Sequence, residues 1–266
     1  MAGVSLGERS GSFLSNLTFY AAAGLGLVPG CSRVVLLGHN PLIDVATDPE
    51  DVWEGGGLYQ FQSTASTLSV VSTSAADAAA GTGARTILIS GLNSAYAPIT
   101  EVVTLNGVTP VITTNSFLRV NLITTTSSGS GEVNAGDVSI STSGGGVLQG
   151  LMRAGYGFNR SAVYTVPAGN TLFITNSTFA VNTAPGAAPN GCVFGIFQRS
   201  STGNRRITLE FQVTSTAPYQ HNSDEGIVFS EKTDITLRAQ TVAQNSTDVT
   251  AASVGFLFTN SSLLGL

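Results

Sequence analysis

Apolar and polar positions alternate with a period of two over long stretches of this chain. In "RITLEFQV", Ile207, Leu209, Phe211 and Val213 fall on one side, and Arg206, Thr208, Glu210 and Gln212 fall on the other. "DITLRAQTV" repeats the arrangement, with Ile235, Leu237 and Ala239 facing in and Asp234, Thr236, Arg238 and Gln240 facing out. Such alternation marks a half-buried antiparallel strand. The stretch "EVVTLNGVTPVITTNSFLRVNLI", residues 101–123, adds a turn signal. Asn106-Gly107 supplies two residues that tolerate positive φ, which predicts a two-residue hairpin between the flanking runs. Pro110 has no N–H to give to a ladder, so the strand after that turn belongs at a sheet edge.

Carried along the chain, the pattern predicts strands at 58–62, 67–72, 85–90, 100–105, 108–113, 117–124 and 137–141, then at 161–166, 171–180, 192–199, 206–214, 226–229, 234–242 and 253–259. Short strands at close spacing point to sandwiches, not to a parallel sheet with crossover helices. The expected fold is all-β: two antiparallel β-sandwich domains, jelly-roll or Ig-like, preceded by an extended N-terminal arm. Residues 1–54 form the arm and connector, 55–142 the first sandwich, 143–150 a Gly-rich linker and 151–266 the second sandwich. Trp53, the sole tryptophan, stands just before Gly55-Gly56-Gly57. It is expected to anchor the arm to the first sheet, with its N–H finding an acceptor.

Composition sharpens this picture. Charged residues make up 10% of the 266, against roughly 25% in an average soluble domain. A surface covered by neighbouring copies would show this, because interface cores are depleted of charge. An ordinary soluble sandwich with a Ser/Thr-rich exterior would show it too, although so weakly charged a monomer resists association poorly. The net charge is −5 and Lys232 is the only lysine, so no basic stripe suggests a nucleic-acid partner. No apolar run reaches the roughly 18–20 residues of a membrane-spanning helix. Cys31 and Cys192 have no metal-ligand spacing. A long-range disulfide between them is compatible with the sequence, but two reduced thiols are the simpler expectation. The apolar segment ending at Cys31 faintly resembles a lipoprotein leader, yet Glu8 and Pro29 count against one,.

Candidate chemistry is sparse. The two histidines, His39 and His221, lie in turn-like contexts, and nothing resembles a nucleophile elbow,. The densest acidic group, Asp48, Glu50, Asp51 and Glu54, sits in a Pro/Gly-punctuated connector. It reads as solvated acids before it reads as a calcium loop or a carboxylate pair. "GTGARTILISG" holds Gly-x-Gly but precedes a strand and lacks the Lys-Ser/Thr of a phosphate loop,. No cofactor and no catalysis are expected.

The stretches "DVWEGGGLY", "GTGARTILISGLNSAYAPITEVVTLNG", "NAGDVSI", "VYTVPAGNTLFIT" and "SEKTDITLRAQ" together resemble a group of virion structural proteins of tailed bacteriophages. The resemblance runs over about residues 40–259 and rests on turns and strands. It implies a β-sandwich part of a phage particle without catalysis, on the capsid surface or in the neck or tail, assembled in the host cytoplasm. Its expected partners are further copies, as a trimer or higher homo-oligomer, and other virion proteins such as the major capsid, portal, adaptor or tail proteins. Docking is expected through Trp53 and the Gly55, Gly56, Gly57 joint, with Phe13, Leu17, Phe19 and Tyr20 of the arm lying on a neighbour, and through sheet edges. The alternative is an adhesion module presenting Tyr96, Tyr219 and His221 to a host carbohydrate.

Overall fold

A computed structural model describes residues 18–43, 49–144, 146–182, 192–201, 203–213, 218–241 and 247–263. In chain order the elements are α1 (Phe19–Gly24), β1 (Cys31–Ile43), β2 (Glu50–Asp51), β3 (Leu68–Ser72), β4 (Ala84–Leu92), β5 (Pro98–Thr104), β6 (Val111–Ile112), β7 (Arg119–Ser128) and β8 (Val138–Thr142). There follow β9 (Leu148–Met152), β10 (Val163–Thr165), β11 (Asn170–Asn182), β12 (Cys192–Arg199), β13 (Arg205–Val213), β14 (Tyr219–Phe229), β15 (Asp234–Thr241), β16 (Thr247–Thr259) and α2 (Asn260–Leu263). The chain is all-β, and its named ladders are antiparallel.

The strands make four sheets: β1-β16-β11-β14; β10-β15-β12-β13 with β2 added on β15; β6-β3-β8-β9; and β5-β4-β7. The first two share one apolar core, in which Leu36, Leu172, Phe179 and Val249 of one sheet meet Phe194, Ile196, Leu237 and Val213 of the other. The last two share a second core, built from Leu68, Val70, Val138 and Ile140 against Ile87, Ile89, Val103 and Ile123. Strands β3 to β9 therefore form a body inserted between β2 and β10 of the larger one.

That topology corrects the extended arm. Residues 31–43 pair with β16 along nearly their whole length, and Leu36, Ile43 and Val52 lie in the larger core. The run "VVLL" hid the strand, because Val34 packs on the core while Val35 stays exposed on the other face. With apolar residues on both sides, the period-two signal vanishes. The expected linker likewise runs into β9, which begins at Leu148 and pairs with β8, whereas residues 58–62 lie outside any strand.

The Asn106-Gly107 hairpin is also corrected. β5 pairs with β4 and β6 pairs with β3, so the turn is a corner between two sheets. A type I′ turn needs positive φ at both central residues, and of the two only Gly107 has it, at 59°. The Gly107 N–H donates to the Asp77 carbonyl at 2.7 Å, and a Cβ there would come within 3.0 Å of the Ala75 backbone. Asp77 in turn is fully buried, its carboxylate accepting from Ser72 Oγ and the N–H groups of Ala84, Ala135 and Gly136 at 2.6–2.9 Å. The strand after Pro110 does lie at a sheet edge.

Candidate functional site

The sheet β5-β4-β7 turns Ile87, Ile89, Val103 and Ile123 into the core. Their alternates face away: Thr100, Val102 and Thr104 on β5, Thr86, Leu88 and Ser90 on β4, and Leu122, Thr124 and Thr126 on β7. None of these outward residues is charged. Val102 is 59% and Leu122 44% exposed, and between the apolar groups run hydroxyls such as Thr86 Oγ1, which bonds with Thr126 Oγ1 at 2.8 Å. β5 is an edge of this sheet, so the face borders on unpaired backbone groups that could accept a strand.

Charge is concentrated instead where the inserted body meets the larger one. Arg119 of β7 grips Asp234 of β15 with Nε and Nη2 at 2.8 and 3.0 Å, both side chains only 5% exposed. Its Nη1 donates to the carbonyls of Gln62 and Leu118, and its guanidinium lies over the rings of Phe61 and Tyr96. Thr165 Oγ1 donates to the same Asp234 oxygen at 2.7 Å. Asn121 and Thr165 exchange two further bonds at 3.0 Å. Further along β15, Arg238 Nε meets Asp51 Oδ1 of β2 at 2.5 Å, and the Tyr59 N–H donates to the other Asp51 oxygen. Burial pushes the Asp51 carboxyl above its ordinary value, while Arg238 and the Tyr59 N–H pull it back. The outward positions Asp234, Thr236 and Arg238 of β15 are thus not a solvent face: Asp234 and Thr236 are as buried as their alternates.

A second ionic knot gathers the connector residues. His39 of β1 sits between Glu54 and Asp248, with Nδ1 and Nε2 each 3.0 Å from a carboxylate oxygen. Arg160 and Arg153 also hold Glu54, and Arg153 Nη1 donates to Asp137 at 2.8 Å. The Glu54 hydrogen bond outweighs burial and raises the His39 pKa. Burial pushes Glu54 up, but His39 and the arginines overcome it and hold the carboxyl below its usual range. The histidine that reads as a turn residue is therefore a tie between distant segments.

Asp51 and Glu54 are buried in the ion pairs above, and half-buried Glu50 accepts from the Gly57 N–H through Oε2 at 2.8 Å. Asp48 lies outside the described residues. Among the described residues no group of three or more His, Cys, Asp or Glu side chains is placed to hold a metal ion. Both cysteines are free thiols, and burial lifts Cys192 to about 11.

Of the expected docking residues, Trp53 is 4% exposed. Its indole packs edge-on to Tyr59 at 5.0 Å, beside Val163, Phe61 and Leu148, and its N–H donates to the Gly57 carbonyl at 3.2 Å. The ring closes over Gly55, where a Cβ would sit 2.4 Å from it, while Gly56 and Gly57 take positive φ. This joint fastens the two bodies within one chain, and the Trp53 ring itself is covered by it. Phe19 and Tyr20 sit on α1, whose N-cap Thr18 accepts from the Ala21 N–H. They pack on Phe256 at 5.3 and 5.6 Å and stay partly exposed. Phe13 and Leu17 lie outside the described residues. Tyr96, Tyr219 and His221 do not form one platform: Tyr96 lies by Arg119, whereas Tyr219 packs on Phe211 at 4.2 Å and His221 pairs across the sheet with Ser177.

No family model and no curated protein matches the chain. Among solved structures, that of the infectious bursal disease virus Gt strain aligns over 87% of this chain and 73% of its own, at 11% identity and a TM-score of 0.25. The infectious bursal disease virus VP2 subviral particle aligns over 90% and 74%, at 12% identity and a TM-score of 0.24.

Proposed function

We propose that this chain is a structural component of a virion, of the tailed-bacteriophage kind that its turn motifs resemble, and that it works by assembly and not by catalysis. In this reading each pair of sheets is an antiparallel sandwich. Copies associate as a trimer or higher on the capsid surface or in the head–tail region, in contact with other virion proteins. Assembly takes place in the host cytoplasm.

The observation that carries the reading is the distribution of charge. Arg119, Asp234, Asp51, Arg238 and Glu54 are drawn into the interior, while the outer face of β5-β4-β7 carries hydroxyls and uncovered Val102 and Leu122. A monomer gains nothing from that arrangement. A second copy seated on the face would cover its apolar groups without burying an unpaired charge, which is the costly step in association. An interface of about 1,200–2,000 Å² is sufficient for a specific contact.

Sedimentation velocity of the purified chain over a wide concentration range tests this. The unaltered protein should form a closed oligomer, and Val102→Glu with Leu122→Lys should yield a folded monomer. A parent chain that stays monomeric at high concentration, or a double variant that assembles normally, refutes the assigned face.

A further inference from the structure

The outer face of β1-β16-β11-β14 carries a pocket of about 500 Å³ beside α1. Phe256 and Val254 of β16 make its floor, and Tyr20 of α1 stands at its rim, 54% exposed. Arg33, the cross-strand partner of Phe256, flanks it on one side. On the other, Asn176 and Asn222 are cross-strand partners on β11 and β14. β11 has a register shift between Ile174 and Asn176, next to the pocket; such irregularities re-aim side chains.

The amide arrangement is specific. Asn176 Nδ2 donates to Asn222 Oδ1, which leaves the Asn176 oxygen as an acceptor and both hydrogens of the Asn222 amide nitrogen as donors, on two adjacent side chains,. That pair matches two neighbouring hydroxyls, one giving and one receiving a proton. The exposed Tyr20 ring lining the same pocket suits the C–H face of a sugar, since aromatic side chains combine apolar area with fixed geometry. The volume lies in the ordinary range for small-molecule sites, about 300–1,000 Å³. Arg33 makes no ion pair among the described residues, and a guanidinium presents planar donors that fit a carboxylate.

The geometry points to a binding site for a single pyranose residue of a glycan, with Tyr20 stacking on the ring, the Asn176–Asn222 pair reading a vicinal diol and Arg33 favouring a sugar that carries a carboxylate. The site lies on a different sheet from the proposed assembly face, so it neither needs that reading nor falls with it.

Saturation-transfer NMR on the full chain, with methyl glucoside, methyl galactoside and the corresponding uronic acids at about 10 mM, suits weak affinities. At least one sugar should receive saturation. Tyr20→Ala should weaken binding about tenfold, the upper end of what an aromatic contact contributes, and Asn222→Ala should weaken it independently. Arg33→Ala should reduce binding of the uronic acids and leave the neutral glycosides unchanged. These positions are on the surface, so circular dichroism and the thermal midpoint should not move. No transfer to any sugar, or transfer indifferent to both Tyr20→Ala and Asn222→Ala, overturns the site. Equal binding of neutral and acidic sugars overturns the role given to Arg33.

Discussion

Replacing Asp234 by alanine should be among the most damaging single changes in this chain. It leaves the Arg119 guanidinium with its side chain only 5% exposed and without its carboxylate, and it strips Thr165 Oγ1 of its acceptor. Breaking a buried pair from one side costs about 3–5 kcal/mol, because the remaining charge cannot be rehydrated where it sits. The Gln62 and Leu118 carbonyls still accept from Arg119 Nη1, which places the expected loss toward the lower bound, about 3 kcal/mol. Against a total stability on the order of 5–15 kcal/mol, that is a large fraction. Urea unfolding is the assay, followed by circular dichroism and by the fluorescence of Trp53, which is buried in the joint between the bodies. The double variant Arg119→Met, Asp234→Leu should recover most of the loss, since an apolar pair of similar volume removes the stranded charge. A loss below about 1 kcal/mol for Asp234→Ala, the value of an exposed pair, refutes the claim that this pair is desolvated.

Further outcomes follow from other sites. His39 has a raised folded pKa, so its contribution is complete below its ordinary value of 6.5 and fades as pH rises through the folded value; Glu54, with a lowered pKa, contributes above its ordinary 4.5 and loses that as pH falls,. Thermal midpoints against pH should fall on the alkaline side of that window, and His39→Gln should flatten that limb. Asp77→Ala strands the N–H groups of Ala84, Ala135 and Gly136 and should cost at least about 3 kcal/mol in urea unfolding, at about 1–3 kcal/mol per lost partner. Gly91→Ala places a Cβ 2.0 Å from the Arg119 carbonyl and should cost about 1–3 kcal/mol by the same assay. With iodoacetamide at neutral pH, Cys31 should react before Cys192, which is wholly buried and has its thiol lifted to about 11,.

Much of this molecule is local and therefore legible. Wherever apolar and polar positions alternate, the pattern marks the element, and β15, predicted over 234–242, occupies Asp234–Thr241. The antiparallel all-β class follows from the same signal, and so does the need of the Trp53 N–H for an acceptor, which Gly57 meets. Partnership was not legible. β5 and β6 flank an Asn-Gly that would join them as a hairpin, but Asp77, some thirty residues earlier, holds the turn as a corner, and the strands enter different sheets. β1 lacks alternation because both of its sides are apolar, so only pairing with β16, at the far end of the chain, shows it to be a strand.

Charge divides in the same way. Sequence alone established that ionic residues are few; it could not show that the scattered Arg119 and Asp234, 115 residues apart, meet in the interior. An isolated charge reads as solvated, since water is its cheapest partner, and only a closed fold can bring the opposite charge to replace that water. The apolar and hydroxyl pattern determined which segments become strands. Tertiary structure decided which strands are neighbours, because backbone hydrogen bonds are the same whichever sequence carries them and the choice falls to side chains that meet across the fold.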